Sequence, residues 1–150
     1  MKLKSIIVGS VGVLLTAALP AFAHHSFAMY DLSVSKTVTG KLTRFIVGAN
    51  HSQLIFNLVG DDGKELVGDD GKPVTWGVET GSAAQLAERG VTVDNFKLGT
   101  IMTVTLHPLR DGRNFGALRN NDGLLVACGM EVPKNGCTAE TGKVYIGQGS

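Results

Sequence analysis

The chain has 150 residues, with 14 Lys and Arg against 13 Asp and Glu, which is one domain's worth of sequence with almost no net charge. A near-neutral chain lacks the basic excess that counterion release on nucleic acid requires, so nucleic acid is excluded as a partner. No apolar run after residue 23 approaches the roughly 20 residues that cross a bilayer as a helix, so no membrane span is expected.

The chain opens with Lys2 and Lys4, the apolar run Ile6 to Leu19, then Pro20 and the small-x-small triplet Ala21-Phe22-Ala23. That is the pattern of a secretory signal peptide with its cleavage site. The expected plan is a signal peptide over residues 1–23 and one folded domain over 24–150, a mature chain of 127 residues that starts at His24. Without Lys2 and Lys4 the count is 12 basic against 13 acidic side chains, a net charge of about −1. Cys128 and Cys137 are the only cysteines and stand nine residues apart. In an oxidising compartment such a pair is expected to form a disulfide across a short loop.

Alternation of apolar and polar residues marks the strands. Val38, Gly40 and Leu42 define a first strand running toward Ile46; Leu54, Phe56 and Leu58 define a second; Val74, Trp76 and Val78 define a third. Ser82-Ala83-Ala84-Gln85 then reads as a capping box, and the short helix behind it must stop at Arg89, before Gly90. Met102, Val104 and Leu106 place a fourth strand with Thr103, Thr105 and His107 on its other face. Asp111-Gly112 turns the chain into a fifth strand near Phe115 to Arg119, and Asn121-Asp122-Gly123 turns it again into Leu124 to Cys128. A last strand is expected around Lys143 to Ile146. Three strands, one helix and two strands is the order of the oligonucleotide/oligosaccharide-binding fold. The expected fold is therefore mainly β: a small Greek-key barrel of about five strands with one helix between the third and fourth, plus a disulfide-closed C-terminal hairpin.

Residues 58–65 and 66–73 are a tandem repeat, Leu-Val-Gly-Asp-Asp-Gly-Lys in each, differing only at Glu65 and Pro73. Eight residues are too few for a solenoid unit, so this reads as a duplication that lengthened the hairpin between strands two and three.

The candidate chemistry lies in the four histidines, His24, His25, His51 and His107. An N-terminal histidine offers a metal its α-amine and its Nδ1, and one further imidazole completes a three-nitrogen set that suits copper. His51, in the connection after the first strand, or His107, at the end of the fourth, is the expected third donor; His25 is a further candidate and Met29 a soft extra ligand. The plainer reading of the same residues is a solvated terminus and surface histidines. Arg110 and Arg113, with Arg119, cluster about the hairpin between strands four and five, where guanidinium forks suit a small anionic ligand; the plainer reading is a solvated turn in which Asp111 balances one of the arginines. Catalytic patterns are absent: there is no Gly-x-Ser-x-Gly elbow, and Glu79 has no paired carboxylate at hydrolase spacing.

His24-His25-Ser26-Phe27 with Met29-Tyr30-Asp31, Asn50-His51-Ser52, Trp76-x-x-Glu79-x-x-Ser82 and His107-Pro108-Leu109-Arg110-Asp111-Gly112-Arg113-Asn114 together resemble a family of small exported bacterial proteins of unknown function. The resemblance runs to about residue 120. Ala49, the duplicated hairpin and the cysteine-bearing tail depart from it. It implies export to the bacterial periplasm or beyond and carries no activity. The expectation is a periplasmic, non-catalytic binding protein with a copper site at its mature N-terminus. The alternative is a metal-free module that presents its barrel face to a periplasmic protein partner or an anionic ligand.

Overall fold

The computed structural model describes residues 27–119 and 121–147. The expected leader and the two histidines His24 and His25 lie outside them. Seven strands and one helix follow in the order β1 (Lys36–Ile46), β2 (Gln53–Leu58), β3 (Thr75–Glu79), α1 (Ala83–Glu88), β4 (Ile101–Pro108), β5 (Phe115–Ala117), β6 (Leu124–Ala127) and β7 (Lys143–Ile146). The first five strands close a barrel through the pairings β1–β2, β2–β3, β3–β5, β5–β4 and β4–β1, all antiparallel except β3–β5.

Closure depends on β1. Its first half pairs with β4 from Lys36 to Lys41, and its second half pairs with β2 from Gly40 to Ile46, with a register shift between Leu42 and Arg44. A bulge of this kind bends a strand so that it serves both halves of a barrel. Gly40 sits at the handover. A Cβ there would overlap the Phe56 ring and lie 2.7 Å from the Asn57 carbonyl oxygen. The inward residues Val38, Leu42, Leu54, Phe56, Trp76, Val78, Val104 and Leu106 form one core. Leu86 of α1 joins it with Val91 and Phe96, so the helix closes one end of the barrel. The capping box at Ser82 is present in both directions, Gln85 N–H to the Ser82 hydroxyl and Ser82 N–H to the Gln85 side-chain oxygen Oε1.

β5 and β6 both lie on the same edge of β4, β5 beside His107 and Pro108 and β6 beside Met102 to Thr105. They amount to one strand broken by the turn that carries Leu118, Arg119, Asn121 and Asp122. β7 pairs only with β6, and the Cys128–Cys137 disulfide closes the long connection between them.

The tandem repeat folds as two copies of one turn. Gly60 N–H donates to the Lys64 carbonyl and Gly68 N–H to that of Lys72, while Asp62 and Asp70 each accept from the N–H two residues on. The bases of the two turns meet β2 and β3 in a closed triangle. Leu58 N–H donates to Val74, Val74 to Leu66 and Leu66 to Leu58, at 2.9, 2.8 and 2.8 Å. The environments of the copies differ. Val59 is 7% exposed and packs with Ile101, Val126 and Cys137, whereas its twin Val67 is 62% exposed.

Candidate functional site

A strap precedes β1 and packs on the outside of the barrel. Asp31 N–H donates to the Pro108 carbonyl (2.8 Å) and Arg110 N–H to that of Met29 (2.9 Å). Tyr30, between these bonds, is buried against Leu109, Ala117 and Phe115. The alternation of the strands explains its seat. Gln53, Glu79, Ala117 and His107 stand side by side in register across β2, β3, β5 and β4. The small Ala117 leaves room between Glu79 and His107, and Tyr30 fills it.

The β1–β2 connection is fixed by Ser52. This residue is fully buried, its N–H donates to the Gly81 carbonyl, its own carbonyl accepts from the Thr80 N–H and hydroxyl, and its hydroxyl accepts from Gly48 N–H. The lacing lays His51 over the end of β3. His51 Nδ1 lies 3.3 Å from the Thr80 carbonyl oxygen and 3.5 Å from Glu79 Oε1. Both partners are acceptors, so in the neutral ring the proton belongs on Nδ1 and the lone pair on Nε2. Nε2 has no hydrogen-bond partner among the described residues.

Glu79 is the centre of the arrangement. On one side is His51. On the other is Tyr30, whose hydroxyl is pushed up to about 12 first by burial, then by the charge of Glu79 and the hydrogen bond to it. Among the described residues no lysine or arginine lies within ion-pair distance of the Glu79 carboxylate, whose side chain is 20% exposed. The cleft above has a volume of about 350 Å³, and its lining includes Phe27, Asn50, His51, Glu79, Arg119 and Asn121. Arg119 is already neutralised. It donates to Asp122 Oδ2 at 3.3 Å and, with the Asn121 amide in the orientation its neighbours require, to the Asn121 carbonyl at 3.2 Å.

The other sequence candidates fall away from this cleft. His107 does face outward from β4, but it is buried rather than at the surface, because the strap and the β5–β6 turn cover it. Both of its nitrogens are engaged, Nδ1 with the Val34 carbonyl (2.8 Å) and Nε2 with Asp122 (3.1 Å), which leaves neither open to a metal. Arg110 and Arg113 do not converge on His51. Arg113 donates to Asp111 at 2.8 Å and lines a neighbouring hollow with Met29, Tyr30, Phe115 and the far side of Glu79, and Arg110 stands 4.0 Å from Asp31. Among the described residues no three His, Cys, Asp or Glu side chains gather as a ready metal cage. Sequence reading missed the Tyr30–Glu79–His51 row. Its only local signal was the outward phase of Glu79 on β3.

The model of a family of unknown function (DUF6152) matches residues 12–119. The chain belongs to this family. The DUF6152 match takes in the strap, His51, Glu79 and Arg119, and it ends before β6, β7 and the disulfide. No curated protein and no solved structure matches the chain.

Proposed function

We propose that this DUF6152 protein is an exported, non-catalytic binding protein of the periplasm that holds a copper ion at the cleft. The ligands would be the α-amine and Nδ1 of His24, exposed by signal-peptide removal, and Nε2 of His51, with His25 as a further donor. The observation that carries this reading is the pair of acceptors facing His51 Nδ1, which assigns the proton there and the lone pair to Nε2. Metal-ligating histidines donate their second ring N–H to a carbonyl or carboxylate, which fixes the ring and frees the other nitrogen, and His51 Nδ1 faces both Thr80 and Glu79.

Two further points support it. Glu79 brings a negative charge with no lysine or arginine within ion-pair distance among the described residues, which favours a cationic guest. Phe27 lines the cleft and lies only three residues after His24, and three residues reach at most ~10 Å. Arg110 and Arg113, each beside a carboxylate, give no comparable support to anion binding.

The test is Cu(II) titration of chain processed to His24, with two controls: one extra residue ahead of His24, and His51→Ala. Both are expected to weaken binding by at least about a hundredfold, since each removes nitrogen donors from a three-nitrogen set. Equal affinity in all three, at the level of any exposed histidine pair, would overturn the reading.

A further inference from the structure

His107 has no part in the proposed metal site, yet it occupies an unusual position. Its side chain is 5% exposed, and its two nitrogens face two acceptors, the Val34 carbonyl at 2.8 Å and the Asp122 carboxylate at 3.1 Å. An imidazole donates at both nitrogens only when it carries both protons. With one proton, one contact sets a lone pair against an oxygen, in a place where an unmet polar group is expensive.

The two partners belong to two segments that each contribute a wall residue to the cleft. Val34 is in the strap that also carries Phe27, which lines the cleft. Asp122 is in the β5–β6 turn, and it holds Arg119 and Asn121, which line the cleft as well. Among the described residues His107 is the only side chain that bonds to both.

Charged groups face the ring from both segments. From the turn come Asp122 and, behind it, Arg119 at 3.3 Å from the same carboxylate oxygen. From the strap comes Asp31, whose carboxyl is held below its usual range by the Ser33 hydroxyl and N–H, with lesser help from Arg110 and from His107 itself. Across β5, Ala117 brings no charge, and the Tyr30 phenol seated over it stands between His107 and Glu79; on β1 Lys36 is spent over the Trp76 ring at 4.5 Å.

We propose that His107 is a positioning residue, a proton-dependent clasp that ties the strap and the β5–β6 turn to β4 and so sets the grip of the cleft on its ligand. When the ring loses a proton, one wall is released and the grip loosens. The clasp stands on the geometry of the described residues; only the identity of the ligand rests on the copper reading.

The first test uses the full processed chain without metal. Nitrogen NMR of the His107 ring is expected to show both nitrogens protonated at about pH 5.5, with the amides of Val34 or of Asp122 and Gly123 shifting as one proton is lost toward about pH 8. Asp122→Asn replaces the carboxylate by an amide that can donate to Nε2, so the shift at the turn should vanish. A singly protonated ring at both pH values, or turn shifts unchanged in Asp122→Asn, would overturn the clasp.

The second test is the ratio of Cu(II) affinities, wild type over His107→Gln, across the same range. The ratio cancels the protonation of the metal ligands themselves. It is expected to be roughly tenfold at the acid end, the worth of one charge-assisted hydrogen bond, and to shrink toward one at the alkaline end. A ratio independent of pH would reduce His107 to packing and overturn the proposal. Should His107→Gln fail to fold, Asp122→Asn takes its place with the same expectation. Absence of copper binding in every protein would sink the copper reading and leave the NMR result to decide the clasp.

Discussion

Replacing Tyr30 by phenylalanine removes one buried hydroxyl and gives a stability difference whose sign depends on pH. In the folded chain this hydroxyl ionises near 12 rather than 10, because burial and the neighbouring Glu79 charge both disfavour the phenolate. The folded state therefore keeps the proton longer than the unfolded state does. The stability this contributes is fully present below pH 10 and is lost as pH rises to 12. A rise from 10 to about 12 corresponds to about 2–3 kcal/mol at most. Near pH 8 the wild type should be the more stable by about 1 kcal/mol, the net worth of the bond to Glu79. By about pH 12 the alkaline loss exceeds that gain, and Tyr30→Phe should be the more stable by about 1–2 kcal/mol. Urea unfolding of both proteins at stepped pH measures the difference directly. In ultraviolet titration the phenolate signal missing from Tyr30→Phe should be one that rises near pH 12. Parallel stability curves from pH 9 to 12 would refute the account of Tyr30 and with it the electrostatic role given to Glu79.

Deleting residues 66–73 should leave the barrel intact, with a melting temperature within a few degrees of the wild type; an unfolded deletion product would contradict the junction described above. Losing the Cys128–Cys137 bond through Cys→Ser at both positions should cost about 2–3 kcal/mol, the loop-closure value for nine or so residues, and hydrogen exchange at β7 should rise more than at β1. Ser82→Ala, which removes the helix cap, should cost about 1 kcal/mol in thermal or denaturant unfolding.

Much of this architecture is legible in the residues themselves because the deciding interactions are local. The capping box at Ser82, the left-handed Gly90 that ends the helix, and the alternation Met102-Val104-Leu106 each specify their structure within a few positions. The site is less legible because it is assembled by register. Glu79 and Tyr30 are 49 positions apart in the chain, and only the pairing of β3 with β5 and the docking of the strap bring them together. His107 shows the same limit. Its outward phase on β4 follows from alternation, but its burial depends on the strap and on a turn beyond β5, neither of which alternation can place. Arg110 and Arg113 divide along the same line: Asp111 stands two positions from Arg113 and its pairing is readable in the turn, whereas Asp31 reaches Arg110 only because the strap docks beside it.

The triangle at Leu58, Leu66 and Val74 has a consequence for how this chain tolerates growth. An ordinary ladder rung is a two-partner exchange, and inserting one full copy of the unit converts that exchange into a three-partner cycle with every donor and acceptor still satisfied. The insertion alters branching and leaves the path of the sheet on either side untouched. Additions of some other length would break the cycle and strand a donor, so length variation at this corner should come in steps of the unit itself.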